Sequence, residues 1–353
     1  MRAKSIKMNQ DKISTGLGNF SKEKFNALLT IREAALDSIT SNLKGLYRQV
    51  TTSSLVNIAG SCENPHASFT LNYYGREAHL SQSAQLQLEA LVMRLKKGFF
   101  TINNSFREEN YDDPEAKGRR LSEFTLIEAE RPYGEMYGHT FTPEEALNHI
   151  VGQLTKIMRF ATEQTAYGHA EEVKLLGGDL NYFNFDIFSE KRRLTYDETL
   201  TLLNKEGCNL EFGDDLGIKE ERKILQSFSN LPVFVTHHPA SIKFFNMKRT
   251  PDNEHVYSVD LLMPRLGETV GGAIREESGE QIKKQLLESR LGKYLQEKDQ
   301  DPLAPFQEYW NIFKQEPPLL RGGYGIGFER FIAFLLNSND ILETIAYKTL
   351  QPK

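Results

Sequence analysis

The sequence predicts an α+β fold organised around a mainly antiparallel sheet, and three features carry that reading. Strand-like and helical segments follow one another without the regular strand and crossover-helix alternation of a parallel sheet. Two β-type runs, Gly98 to Phe106 and Glu123 to Arg131, flank a charged connection and read as one long hairpin. Near the C-terminus the glycine-rich run Gly322 to Gly327 leads into an apolar helical pattern, Phe328 to Leu336.

The elements follow in order. The first twenty or so residues, rich in Lys, Asn, Ser and Gly, read as a loosely docked arm, and the rest as one catalytic domain. A helix starts at Ser21, which can cap it, because Phe25, Leu28, Leu29, Leu36, Ile39, Leu43 and Leu46 recur at helical spacings before Gly45 and its neighbours end it. Gln49 to Ala59 and Ala67 to Tyr74, rich in β-branched and aromatic residues, read as strands around a turn at Gly60 to Pro65. Residues 83–97 read as a helix. The hairpin's connection, Arg107 to Arg120, contains Asp112, Asp113, Pro114 and Gly118, which forbid regular structure. Residues 143–166 read as a helix, 170–230 as a mixed polar insertion, 232–236, 243–248 and 255–263 as strands, and 276–296 as one helix.

Composition excludes several classes. With 39% hydrophobic residues in 353, a substantial core is available, and no apolar run is long enough to span a bilayer. The N-terminus MRAKSIKMNQDK has no apolar stretch, so the expected compartment is the cytoplasm and no membrane partner is expected. Cys62 and Cys208 lack metal or disulfide spacing. A net charge of -5 offers no global attraction to nucleic acid.

Glycines at alternate positions in 322–327 leave one strand face bare, so a flat or bulky ligand can lie against backbone, where Arg330 would meet it. A glycine strand used only for packing explains the same run when it is taken alone. Other stretches agree with the first reading. Phe106-Arg107-Glu108-Glu109 with Glu123, Phe124 and Glu128 resembles motif 2 of the class II aminoacyl-tRNA synthetases, and Gly323 to Arg330 resembles their motif 3. Cys62-Glu63, SQSAQLQLE at 81–89, KFFNMK at 243–248 and DLLMPRLGETVGGAIR at 260–275 are similar to the aspartyl and asparaginyl members, in the same order. Leu194 to Asp197 and Gly213 to Gly217 resemble the insertion of the asparaginyl enzymes, so the likeness spans roughly residues 25–345.

The resemblance implies a class II antiparallel sheet flanked by helices, ATP and Mg2+ as cofactors, and activation of asparagine or aspartate as an acyl-adenylate. By resemblance Arg107 bridges the α-phosphate and the substrate carboxylate, which a forked guanidinium can do bidentately. Phe124 and Arg330 would sandwich adenine over Gly327, Glu109 would meet its edge, and Arg119 or Arg120 would meet the outer phosphates unless they are simply a solvated charge run. Asp260 and Glu268 resemble the carboxylates that hold magnesium. Glu63 and Gln85 resemble the groups around the α-ammonium, and Arg275 the one that meets a side-chain oxygen. Leu88 followed by Glu89 looks like the asparaginyl arrangement, in which the acid accepts from an amide; the other reading makes Glu89 a helix-surface charge.

Four departures bear on function. The chain begins almost at the catalytic domain, without the N-terminal oligonucleotide-binding barrel that reads the anticodon in the tRNA-charging relatives. Ser53 stands where the dimer-interface motif has proline, although a homodimer is still expected. The loop after Arg107 is long and has Arg120 in place of histidine, and Asn64-Pro65 follows Glu63 in place of glycine. These features favour transfer of the activated acyl group to ammonia or a small amine. The alternatives are tRNA bound through its acceptor stem, and a non-catalytic paralogue that binds amino acid or nucleotide. Retained Arg107, Asp260, Glu268 and Arg330 count against the last.

Overall fold

The computed structural model describes residues 20–58, 64–109, 117–136, 139–184 and 186–347. The N-terminal arm, Cys62 and Glu63 therefore lie outside the described residues. Among those residues no helix is long and apolar enough to cross a membrane.

Helix α1 (Lys22–Lys44) begins where Ser21 Oγ accepts from the Lys24 amide, and it buries Leu28, Ile31, Ala35, Ile39 and Leu43. The β-run expected over 49–59 shrinks to β1 (Arg48–Gln49) and β2 (Leu55–Val56), with β3 (Thr70–Tyr73) and β4 (Arg76–Leu80) completing a small side sheet with β2. Helix α2 (Gln85–Leu95) leads to β5 (Phe99–Phe106) and β6 (Glu123–Pro132), the predicted hairpin, paired from Phe99↔Glu130 to Phe106↔Glu123. After the short ribbon β7 (Glu135–Met136) and β8 (His139–Thr140) comes α3 (Pro143–Gly168), which opens with a capping box between Thr142 and Glu145.

The mixed region resolves into α4 (Ala170–Leu175), β9 (Arg193–Thr195), α5 (Tyr196–Lys205) and α6 (Ile218–Ser227). Strands β10 (Val233–Thr236), β11 (Ser258–Met263) and β12 (Gly267–Arg275) follow. Then come α7 (Gly279–Glu288), α8 (Arg290–Glu297), α9 (Gln307–Gln315), β13 (Arg321–Gly327) and α10 (Phe328–Leu335). Two expectations change here, and one strand was not anticipated. Residues 243–248 form turns and a single bridge, Met247↔Arg275, rather than a strand. The helix expected over 276–296 is two, because Ser289 ends α7 in extended backbone and its hydroxyl caps α8 at Gly292. Strand β12 was invisible to periodicity, since GETVGGAIR does not alternate apolar with polar.

The main sheet has eight strands in the order β1-β5-β6-β13-β12-β11-β10-β9, antiparallel except at its two outer pairs. One face carries Phe100, Ile127, Ala129, Tyr324, Ile326, Val270, Ile274, Val259, Leu261 and Phe234 into a core closed by α1, α3 and α10. Each fully buried aliphatic side chain there contributes about 1.5–3 kcal/mol relative to exposure. The opposite face is left for the cleft. A second apolar cluster of Phe245, Ile282, Leu286, Leu295, Phe306 and Trp310 packs α7, α8 and α9 together beside it.

Candidate active site

Register builds the cleft floor row by row. Glu128 on β6 faces Gly325 on β13, which faces Gly271 on β12, which faces Asp260 on β11. One row on, Glu130, Gly323, Ala273 and Ser258 align in the same way, and beyond them Arg321 pairs with Arg275. Side chains two apart share a face, so acids and arginines rim a floor made largely of glycine backbone. A cleft of about 850 Å³ lies over this floor, lined by Gln85, Leu88, Arg107, Glu109, Arg119, Arg120, Phe124, Asp260, Glu268, Arg275, Gly327 and Arg330, among others. All but two of the expected site residues thus meet in one place. Glu63 lies outside the described residues, and Glu89 does not line the cleft.

At one end the Arg107 guanidinium stacks over the Phe124 ring, 5.2 Å from its centroid. Glu329 holds this region from behind: it accepts from the Thr125 amide at 2.8 Å and from Arg32 of α1 at 3.0 Å. Arg330, at the start of α10, donates to the carbonyl of Glu268. Of the loop arginines, Arg120 is exposed and pairs with Glu109 at 3.1 Å, while Arg119 donates to Glu221 of α6 at 3.2 Å and to the Leu266 carbonyl at 2.9 Å. Burial lowers the Arg119 pKa to about 10.

Asp260 and Glu268 converge across Gly271, where a β-carbon would lie 3.0 Å from Glu268 Oε1 and 3.6 Å from Asp260 Oδ1. Strict alternation would have turned Glu268 toward the core. An irregularity in the β11–β12 pairing between Leu261 and Leu262 brings it to the cleft face instead. Burial, and then Asp260, raise the Glu268 pKa. Asp260 also receives Lys243 Nζ at 2.5 Å and His238 Nε2 at 3.1 Å. Burial opposes charge on Lys243, but Asp260 and Glu268 outweigh it and hold the ammonium above its ordinary range. Burial, then Lys243, push His238 well below its usual value, so it stays neutral.

Among the described residues no group of three or more His, Cys, Asp or Glu side chains gathers to hold a metal. Two converging carboxylates fit a hard divalent cation that takes its other ligands from water and phosphate oxygens.

Beyond Leu88 lies a buried charge cluster. Arg275 donates to Glu130 from Nε, shared between both carboxylate oxygens at 3.2 and 3.3 Å, and from Nη2 at 3.1 Å. Burial pushes the Glu130 pKa up; Arg275 opposes that and nearby Glu89 adds to it. Glu89, fully buried on α2, is gripped by Arg321, Tyr309, Asn246 and Gln85. The acceptor expected for a substrate amide is thus occupied by protein donors. Sequence reasoning singled out the stretch KFFNMK at 243–248 but gave no role to Lys243 or Asn246, and it missed His238, Glu221, Tyr309 and Arg321, whose relevance comes only from where the fold puts them.

The chain was also compared with known proteins. A profile of the family described as tRNA synthetases class II (D, K and N) matches residues 13–351. The asparagine–tRNA ligase of Mycoplasma mycoides is 29% identical over 92% of this chain and 70% of its own length. That of Alkaliphilus oremlandii is 31% identical over 82% of this chain and 58% of its own length. Among solved structures, asparaginyl-tRNA synthetase from Pyrococcus horikoshii complexed with asparaginyl-adenylate superposes with a TM-score of 0.77 at 27% identity, over 93% of this chain and 70% of that one. The chain therefore spans between 58% and 70% of the length of these relatives.

Proposed function

The chain belongs to the class II tRNA synthetases of the D, K and N group, and from that premise we propose that it is a ligase that activates asparagine or aspartate with ATP and transfers the acyl group to tRNA. The observation that carries this reading is the convergence, over one bare glycine floor, of Arg107 stacked on Phe124, Arg330, and the acid pair Asp260 and Glu268. An amino-acid carboxylate oxygen attacks the α-phosphorus, an acyl–phosphate bond forms, and pyrophosphate leaves. A tRNA hydroxyl then attacks the acyl carbon and releases AMP.

Arg107 can hold the α-phosphate and the carboxylate together, removing their mutual repulsion and fixing the line of attack. Phe124 and Arg330 offer an aromatic face and a cation to adenine above Gly327. Glu109 would meet the adenine edge, and Arg119 and Arg120 would meet the outer phosphates, for which Arg119 would have to exchange Glu221 for a phosphate. Asp260 and Glu268 would hold Mg2+, which when bound neutralises phosphate charge. Gln85 donates its amide NH2 to Glu89, leaving its carbonyl oxygen to accept from the substrate ammonium.

The acceptor favoured on sequence grounds, ammonia or a small amine, is replaced in this reading by tRNA. The relatives reported above are named for tRNA, and none for a small-amine acceptor.

The test is amino-acid-dependent exchange of pyrophosphate into ATP, followed by tRNA charging. Arg107→Ala is expected to lower exchange at least about 100-fold while leaving the circular dichroism spectrum unchanged. Wild-type exchange in that variant removes the role assigned to Arg107, and charging of hydroxylamine but not tRNA restores the small-amine reading.

A further inference from the structure

Glu89 and Arg321 form a saturated pair. On Glu89 Oε2, Arg321 Nε donates at 2.9 Å, Arg321 Nη2 at 2.7 Å and the Tyr309 hydroxyl at 2.9 Å. On Oε1, Gln85 donates at 3.2 Å and Asn246 donates as well. A carboxylate offers about four lone-pair sites, so none is left for a ligand. Arg321 is equally committed: Nη1 meets the carbonyls of Glu276 and Leu319 at 3.1 and 3.3 Å, and Nη2 also reaches Tyr309. Both side chains are fully buried, and neither lines the cleft, whereas Leu88, Gln85, Glu130 and Arg275 do.

This arrangement alters what the pocket can read. An amide side chain brings two N–H donors and needs an acceptor, and Glu89 is withheld from it. Charge points the same way. Without Arg321, two acids, Glu89 and Glu130, would share the single guanidinium of Arg275. Arg321 gives Glu89 a guanidinium of its own and frees Arg275, whose Nε stands 3.9 Å from Glu89, from serving it. Arg275, which lines the cleft and gives Nε and Nη2 to Glu130, then keeps Nη1 as a donor to a substrate oxygen.

We propose that Arg321 is a specificity-determining residue: by holding Glu89 behind the cleft wall it leaves Arg275 to read the substrate side chain, selecting a carboxylate, as in aspartate, over an amide, as in asparagine. The proposal rests on the adenylation reading above.

It is tested by pyrophosphate exchange with aspartate and with asparagine, using wild-type protein, Arg321→Gln and the double variant Glu89→Gln with Arg321→Gln. Wild type is expected to favour aspartate by at least about tenfold in kcat/KM. Arg321→Gln, which frees Glu89 oxygens to accept, is expected to move that ratio toward asparagine by about tenfold or more, while the double variant keeps the aspartate preference. Should Arg321→Gln not fold, the wild-type ratio and the double variant, which buries no unpaired acid, decide the matter. A wild type that favours asparagine overturns this proposal and leaves adenylation standing; exchange with neither amino acid overturns both. Equal ratios in all three proteins also overturn it, since Arg321 would then be structural only.

Discussion

Glu221 shows how one side chain from the insertion reaches an arginine that lines the cleft. It is buried on α6, bonds Arg119, and lies where a β-carbon on Gly267 would be only 1.8 Å from its Oε2. Gly267 has φ +80°, so the turn before β12 needs glycine for two reasons, its backbone and that close approach. Burial pushes Glu221 up to about 7, against Arg330 and with help from Glu268. An unfolded chain would ionise this acid near pH 4.3. Between those values the folded state holds a proton the unfolded state has lost, so stability falls as pH rises from about 4.3 to about 7 and then levels off. Glu221→Gln is expected to lack that slope, a difference on the order of 3 kcal/mol. Urea unfolding of both proteins at about pH 5 and about pH 8 measures it, and parallel profiles would count against Glu221. None of this was legible in the sequence, where residue 221 is one charge in a polar helix.

At the scale of the element, the glycines of β13 are not equivalent. A β-carbon on Gly323 would fall 2.2 Å from the Ala129 carbonyl oxygen and 2.0 Å from Glu130 Oε2, so this glycine makes room for the neighbouring strand and its acid. A β-carbon on Gly325 meets nothing nearer than Glu128 Cγ at 3.4 Å, and the residue lines the cleft. Gly323→Ala is expected to destabilise the fold by about 2–4 kcal/mol because backbone cannot move aside. Gly325→Ala should fold normally yet weaken ATP binding about tenfold or more, since its methyl group stands on the floor. Thermal melts and ATP titrations separate the two. The alternation of glycines marked the strand correctly, but which glycine serves packing and which serves ligand depends on strand register. The irregularity that turns Glu268 into the cleft is equally local to the paired strands and leaves no trace in residue type.

Over the whole molecule, the first helix and the segment that follows α10 are tied to the site. Arg32 of α1 donates to the Thr344 carbonyl at 2.6 Å and to Glu329 at 3.0 Å, and lies over the Phe328 ring. Glu329 in turn holds the Thr125 amide beside Phe124. Arg32→Ala would leave a buried acid short of a partner, so it is expected to cost about 2 kcal/mol of stability. It should also raise KM for ATP, because the β6 backbone next to Phe124 loses its anchor. Denaturant unfolding and exchange kinetics read the two effects, and an unchanged KM would confine Arg32 to holding the fold.

What the sequence determined by itself is the inventory: an α+β chain, a β5–β6 hairpin, a glycine strand opening a helix, and the arginines and acids suited to a nucleotide and an amino acid. Composition and local order suffice for these because backbone preference and residue chemistry are local. Only the tertiary structure decided which charge neutralises which. Glu89 and Arg321 are 232 positions apart, and Arg119 and Glu221 are 102 apart. Such pairings are set by sheet register and helix docking, and in a buried cleft the partner of a charge determines what it can still offer a substrate.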